Sequence, residues 1–379
     1  MTTTFEQFNA RLGDFIRRYS FIPTDAAESV SDNADEEFNE LALLLFALQF
    51  NCVEPYRRFC VARKVSPAGI ADWSQIPAMP TSAFKELELT SLPVGQRTRV
   101  FHSSGTTEQK PSRHFHSAES LAIYEASLLP WFKQHLLPDA NKFAFIILTP
   151  SPALAPYSSL VHMFEITRRE FGSANSLFTG ITANQGVWGL DFNATLGALR
   201  RSTEASRPVA LLGTAFSFVH LLDHLTENRI RFELPAGSRV METGGYKGRS
   251  RVLSKAELHD LITRHLGVAP PHIVCEYGMS ELGSQAYDRN AGEISRSERI
   301  LHFPPWARAQ IVSPETGRET RDGETGLIRV FDLANVRSVM AIQTEDLGVR
   351  RGDGFEMIGR NALAEPRGCS LMSAEDSVR

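Results

Sequence analysis

Four apolar runs in the middle of the chain all stop on the same kind of residue. Lys142-Phe143-Ala144-Phe145-Ile146-Ile147-Leu148 runs into Thr149-Pro150-Ser151, and Pro208-Val209-Ala210-Leu211-Leu212 into Gly213-Thr214. Ser238-Arg239-Val240-Met241-Glu242 is followed by Thr243-Gly244-Gly245, and Pro271-His272-Ile273-Val274-Cys275-Glu276 by Tyr277-Gly278. Between them lie stretches of helical spacing, such as Phe218, Leu221, Leu222 and Leu225, and the segment from Ser254 to His265. Apolar strands that alternate with helices predict an α/β fold, a parallel sheet covered on both faces. Ligands in such sheets bind beyond the carboxyl ends of the strands. Small, polar and glycine residues gather at those ends here, so one pattern predicts both the fold class and the place of the site.

A fifth junction lies upstream. Arg97-Thr98-Arg99-Val100-Phe101 predicts a short strand, and Ser117 a helix N-cap with Glu119 in the first turn. Between them stands His102-Ser103-Ser104-Gly105-Thr106-Thr107-Glu108-Gln109-Lys110-Pro111. Backbone N–H groups and the hydroxyls of Ser103, Ser104, Thr106 and Thr107 suit phosphate oxygens; Gly105 admits close approach and Lys110 adds a charge. GxxxxGK[ST] is absent, so this is not a Walker A loop. A polar surface loop is the alternative.

The rest divides by texture. Residues 1–99 read as a helical region packed on the core. Asn33 with Glu36 predicts a capping box, and Phe38, Leu41, Leu45, Leu48 and Cys52 follow at helical spacing. Cys52 and Cys60 are expected to be apolar packing residues. Ile76-Pro77-Ala78-Met79-Pro80 is expected to break regular structure. Residues 100–299 form the α/β core. Short β-like runs within 300–360 predict an antiparallel subdomain, and 361–379 form a tail that carries Cys369.

Composition excludes several classes. A net charge of −4 over 379 residues does not give the basic face of a nucleic-acid binder. Four cysteines without metal-ligand spacing predict neither a zinc site nor a disulfide framework, and fit a cytoplasmic protein. The start lacks a signal-peptide pattern, and the most apolar run, Leu41 to Phe50, is shorter than the roughly 20 residues that span a bilayer. No transmembrane segment is expected.

Taken together, these segments resemble the adenylate-forming (ANL) synthetase superfamily. Ser103-Ser104-Gly105-Thr106-Thr107 with Lys110-Pro111 is similar to its phosphate loop and Thr243-Gly244-Gly245 to its adenine-side turn. Tyr277-Gly278-Met279-Ser280-Glu281 is similar to its YGxTE motif, Thr344-Glu345-Asp346-Leu347-Gly348 to TGDLG, and Gly359-Arg360 to the GR at its hinge. All five occur in the family's order, over roughly residues 75–370. Ile76-Pro77, Pro80-Thr81-Ser82-Ala83-Phe84-Lys85, Pro304-Pro305-Trp306 and Arg367-Gly368-Cys369-Ser370-Leu371 resemble the LuxE-type acyl-protein synthetases of the fatty-acid reductase complex. Glu108 and Glu345 stand where relatives usually have glycine.

The resemblance implies an adenylating large domain, a small β subdomain and a truncated tail in place of the mobile lid. It implies ATP and Mg²⁺. Ser103, Ser104, Gly105, Thr106, Thr107 and Lys110 are then expected on the phosphates, and Glu281 on the metal. Thr243, Gly244, Gly245, Tyr277, Gly278 and Ser280 are expected around the nucleotide, Asp346 on the ribose hydroxyls, and Arg360 on ribose or phosphate. Cys369 is expected to take the acyl group as a thioester and hand it to a partner acyl reductase that uses NADPH. An apolar acyl pocket is expected along 154–164 and 215–219, with His162 and Phe216 in it. Two other readings stay open. One is an acyl- or aryl-CoA ligase of the phenylacetate type, which has no need of Cys369; the other is a non-catalytic adenylate-binding scaffold.

Overall fold

The computed structural model describes residues 3–20, 27–103, 110–182, 188–244, 253–294 and 298–360, with 27–32 described by backbone alone. Ser104, Gly105, Thr106, Thr107, Gly245 and Cys369 lie outside the described residues.

Three helices come first. In α1, Phe5–Tyr19, the Thr4 hydroxyl accepts from the Gln7 N–H, and Phe8, Leu12, Phe15, Ile16 and Tyr19 share the buried face. Helix α2, Ala27–Cys52, starts well before the predicted cap, so Asn33 sits inside it. Nothing from Ala27 to Ala34 is proline or glycine, so the helix continues backward to Ala27. Helix α3, Glu54–Ala62, carries Pro55 in its first turn. Cys60 is buried as expected, but Cys52 is exposed: it ends α2 on the outer face.

Met79–Pro80 forms a two-residue strand, β1, where an irregular stretch was expected, and α4, Ala83–Glu86, follows. Strands β2, Arg99–His102, and β3, Arg113–His116, form an antiparallel hairpin across the phosphate-loop segment, with Phe101 opposite His114. Helix α5, Ala118–Leu136, is capped by Ser117, whose hydroxyl accepts from the Ser120 N–H.

The α/β layer runs β4 Ala144–Ile147, α6 Ser159–Phe171, β5 Leu177–Phe178, the hairpin β6 Gly180–Thr182 with β7 Trp188–Leu190, and α7 Phe192–Glu204. It continues through β8 Val209–Thr214, α8 Ala215–Glu227, β9 Arg239–Thr243, α9 Lys255–Leu266, β10 Ile273–Tyr277 and β11 Ala286–Tyr287. Its sheet has the order β11-β10-β9-β8-β4-β5, parallel except for β11 at the edge. The strand interiors are buried throughout, as a sheet covered on both faces requires.

The last strands are β12 Ala307–Val312, β13 Thr325–Asp332, β14 Ala341–Arg351 and β15 Gly354–Arg360, antiparallel neighbours in a second sheet. β1 adds to β14 in parallel, so the segment Met79–Pro80 closes a sheet whose other strands lie over 200 residues later. Helices α1–α3 share their core with this second sheet: Phe8, Phe38, Phe46 and Tyr56 belong to the same buried cluster as Trp306, Val330, Phe331 and Ile342. Burial of each such side chain is worth about 1.5–3 kcal/mol against exposure. Among the described residues, no helix is long and apolar enough to cross a membrane.

Candidate active site

The hairpin β2–β3 delivers the stem of the phosphate-loop segment to the end of β10. Ser103 Oγ accepts from the Ser112 N–H at 3.0 Å. The Ser112 hydroxyl in turn donates to Glu281 Oε1 at 2.7 Å, and the Ser280 hydroxyl to Glu281 Oε2 at 2.9 Å. Glu281 is 1% exposed. His114, on β3, lies with Nδ1 2.9 Å from the Ser280 carbonyl, and burial lowers its pKa against the pull of that bond and of Glu281. The hairpin and the Tyr277–Glu281 segment are therefore locked together through Ser112 and His114, neither of which the motif reading singled out.

Tyr277 ends β10 and projects to the second sheet. Its hydroxyl donates to Asp346 Oδ2 at 2.9 Å, and burial pushes its pKa well above the usual phenol value. Asp346 on β14 lies opposite Arg360 on β15; the Arg360 guanidinium is 3.9 Å from Asp346 Oδ1 and 3.3 Å from Glu345 Oε2. Tyr277, Asp346 and Arg360 thus form one row across the junction of the two sheets.

On the neighbouring strand, the Thr243 hydroxyl donates to Glu276 Oε2. Burial raises the Glu276 carboxyl to about 7, with Thr243 opposing and Glu242 reinforcing the rise. Gly278 is required by this carboxyl, since a Cβ there would meet Glu276 Oε1 at 2.4 Å. Gly244 is different. Its φ of +73° lies in the left-handed region, and among the described residues a Cβ there would meet nothing within 4 Å, so the turn presents bare backbone. A flat ring can approach there.

The remaining expected residues are less central. Lys110 is exposed and, among the described residues, its ion pair is with Glu86, at 3.9 Å. His162 Nε2 lies 3.1 Å from Glu125, with the ring against Phe101 and Tyr124. Phe216 packs instead with Val161 and Trp188. His162 and Phe216 therefore pack against different side chains, Phe216 beside Val161, the residue that precedes His162 on α6.

The donor set suits a magnesium nucleotide. Glu281 with the hydroxyls of Ser103, Ser112 and Ser280 offers hard oxygen ligands, and Mg²⁺ is commonly held by one carboxylate plus substrate phosphates. Among the described residues, no three of His, Cys, Asp and Glu converge on a metal position, so Glu281 stands as a single carboxylate donor. Asp346, between Tyr277 and Arg360, carries two acceptor oxygens, as paired hydroxyls require.

The family model for acyl-protein synthetase, LuxE, matches residues 21–377. The chain is 26% identical over 347 residues to a long-chain-fatty-acid–luciferin-component ligase of Aliivibrio fischeri, covering 87% of this chain and 85% of that protein. The corresponding ligase of Vibrio harveyi is 22% identical over 333 residues, covering 85% and 83%. Among solved structures, an open conformation of 2-hydroxyisobutyryl-CoA ligase aligns with a TM-score of 0.61 at 13% identity, over 86% of this chain and 75% of that one. The same ligase in its thioesterification state gives 0.59 at 12% identity, over 94% and 69%. At those identities the structural likeness speaks for the fold alone, which this chain shares with that ligase.

Proposed function

The chain belongs to the LuxE family of acyl-protein synthetases and is a ligase, and from that premise we propose that it activates a fatty or related carboxylic acid with ATP and transfers the acyl group to its own Cys369. The observation that supports the first step is a pair of polar groups hung on the short segment Tyr277–Glu281: Ser103 and Ser112 with Glu281 at one end, Asp346 and Arg360 with Tyr277 at the other. The first group offers phosphate- and metal-type contacts, the second a ribose-type acceptor.

In the first step the acid's carboxylate attacks the α-phosphate, giving acyl-adenylate and pyrophosphate. Two anions must meet, so positioning and charge neutralisation carry the catalysis. Glu281 holds the metal, and Mg²⁺ supplies neutralisation of phosphate charge. Ser103 and Lys110, with Ser104, Gly105, Thr106 and Thr107, serve the β- and γ-phosphates. Asp346 accepts from the ribose hydroxyls, with Tyr277 and Arg360 fixing its orientation. Gly244, with Thr243 and Gly245, lets the adenine lie against backbone. His162 and Phe216 contribute to the acyl channel.

In the second step a thiolate attacks the acyl carbon and expels AMP. Burial raises the Cys60 thiol to about 11 and pushes Cys275 well above the ordinary thiol range, so both are held protonated. The remaining cysteines are Cys52 and Cys369. Cys369 follows Arg367 by two positions in the sequence, in the segment that resembles the family's acyl-carrying stretch, and a nearby cation of that kind would favour the thiolate. The loaded thioester is delivered to a partner acyl reductase.

The test is incubation with ATP, Mg²⁺ and a panel of fatty and aromatic acids, followed by intact mass before and after hydroxylamine. The expected result is AMP with a hydroxylamine-labile adduct that persists in Cys52→Ser and vanishes in Cys369→Ser, with AMP formation retained. AMP formation stimulated by CoA, with no adduct, would replace this proposal by a CoA ligase. Absence of AMP with every acid would leave a nucleotide-binding subunit.

A further inference from the structure

The loop that carries Glu281 is gripped from behind by a turn that no motif marks. The turn is Asp332-Leu333-Ala334-Asn335, between β13 and β14, and belongs to the other sheet. Asp332 is 0% exposed, and its carboxylate collects four donors. Oδ2 accepts from the N–H groups of Gly283 and Ser284, both at 2.8 Å; Oδ1 accepts from the Ser284 hydroxyl at 2.8 Å and from the Ala334 N–H at 3.0 Å. Asn335 completes the hold, with Nδ2 donating to the backbone carbonyl of Glu281 itself at 2.8 Å. The fit is close: a Cβ on Gly283 would meet the Ala334 Cβ at 2.9 Å and its carbonyl carbon at 3.0 Å.

The turn is itself anchored. Gln49 of α2 donates from Nε2 to the Asn335 carbonyl at 2.7 Å and accepts on Oε1 from the Met340 N–H at 2.9 Å. A buried carboxylate is costly unless its oxygens are satisfied, and here three of the four donors come from the loop that presents Glu281.

We infer that Asp332 and Asn335 are positioning residues that fix the backbone of Glu281, so that its carboxylate meets a nucleotide-bound divalent cation without rearrangement. The inference rests on the metal role proposed for Glu281. It concerns metal–nucleotide geometry, so it separates from overall folding and from acid activation. Free AMP, which carries no β- or γ-phosphate, makes no demand on that geometry.

The experiment measures calorimetric binding of Mg²⁺–ATP and of metal-free AMP to the full chain, in the wild type, Asp332→Asn and Asn335→Ala. Asn335→Ala removes the bonds to the Glu281 and Val339 carbonyls while leaving the four bonds of Asp332, and it carries the test if Asp332→Asn does not fold. The dissociation constant for Mg²⁺–ATP is expected to rise 5- to 20-fold in the variants, with that for AMP within twofold of wild type. Equal weakening of both ligands would make the residues merely structural and overturn the inference, as would unchanged Mg²⁺–ATP binding. Wild-type binding of Mg²⁺–ATP no tighter than of ATP alone would also overturn it, by removing the metal from Glu281. A wild type that binds Mg²⁺–ATP and shows the expected variant pattern, yet forms AMP with no acid, would sink the acid-activation proposal and leave this inference standing.

Discussion

The Tyr277 hydroxyl donates to Asp346 Oδ2 across 2.9 Å, tying the end of a parallel strand to the middle of an antiparallel one. This bond spans the junction between the two sheets, where the proposed nucleotide lies. Asp346→Ala removes the carboxylate, and the KM for ATP is expected to rise at least tenfold. Tyr277→Phe leaves the carboxylate and removes one hydrogen bond, worth about 0.5–1.5 kcal/mol. It is expected to raise the same KM only a few-fold. Steady-state AMP formation at varied ATP distinguishes the two; equal effects would mean that Asp346 acts only through Tyr277.

Ser112 holds one oxygen of the buried Glu281 carboxylate. Ser112→Ala leaves that oxygen short of a donor, at a cost of about 1–3 kcal/mol. Because 1.4 kcal/mol is a factor of ten, kcat/KM for ATP is expected to fall roughly 10- to 100-fold. A variant within twofold of wild type would mean that the hairpin does not organise Glu281.

Gly278→Ala places a methyl group on Glu276 Oε1, and the carboxyl is held at its other oxygen, Oε2, by Thr243. The carboxyl has little room to retreat in a closed packing, so stability is expected to drop by about 1–3 kcal/mol. Urea unfolding of the variant measures this. A double variant with Glu276→Ala is expected to recover most of the loss, since the clash partner is gone.

Glu276 sets a pH dependence of known sign. Its carboxyl titrates near about 7 when folded and has an ordinary value of 4.5. The stabilisation is complete below the lower value and is lost as pH rises through the upper one, because the unfolded chain ionises first. Glu276 is fully buried, with Glu242 opposing ionisation and Thr243 and Lys255 favouring it. The loss attributable to this group is on the order of 3 kcal/mol between about pH 4.5 and 7. In Glu276→Gln the unfolding free energy is expected to decline less steeply over that window; an unchanged slope would show that the carboxyl is ionised in the folded protein.

The parallel sheet and the antiparallel subdomain were legible because both are written in local periodicity: buried strands ending in small residues, then short alternating runs between turns. The motifs at residues 103–110, 243–245, 277–281 and 344–348 stood out because the phosphate, base, metal and ribose contacts proposed for them would each demand particular residue types on a short segment. Two local readings failed where no local signal decides. Asn33 offers the chemistry of a cap, but the residues before it are equally able to be helical. Cys52 fits an apolar period, yet it falls past the end of the helix's packed face.

The supports of the site were decided by tertiary structure alone. Ser112 and Glu281 lie 169 positions apart, and Gln49 and Met340 291 apart, so neither pairing leaves a mark in any window of sequence. Met79–Pro80 reads as an irregular proline stretch and becomes a strand only because β14 offers it an edge. The sequence by itself determined which residues carry the side-chain types that the proposed chemistry requires, since that depends on composition and on spacing along a strand or loop. How burial raises the Glu276 carboxyl, which serines hold Glu281 and which turn grips its backbone were decided only by the tertiary structure, where burial and distant contacts removed water from those groups.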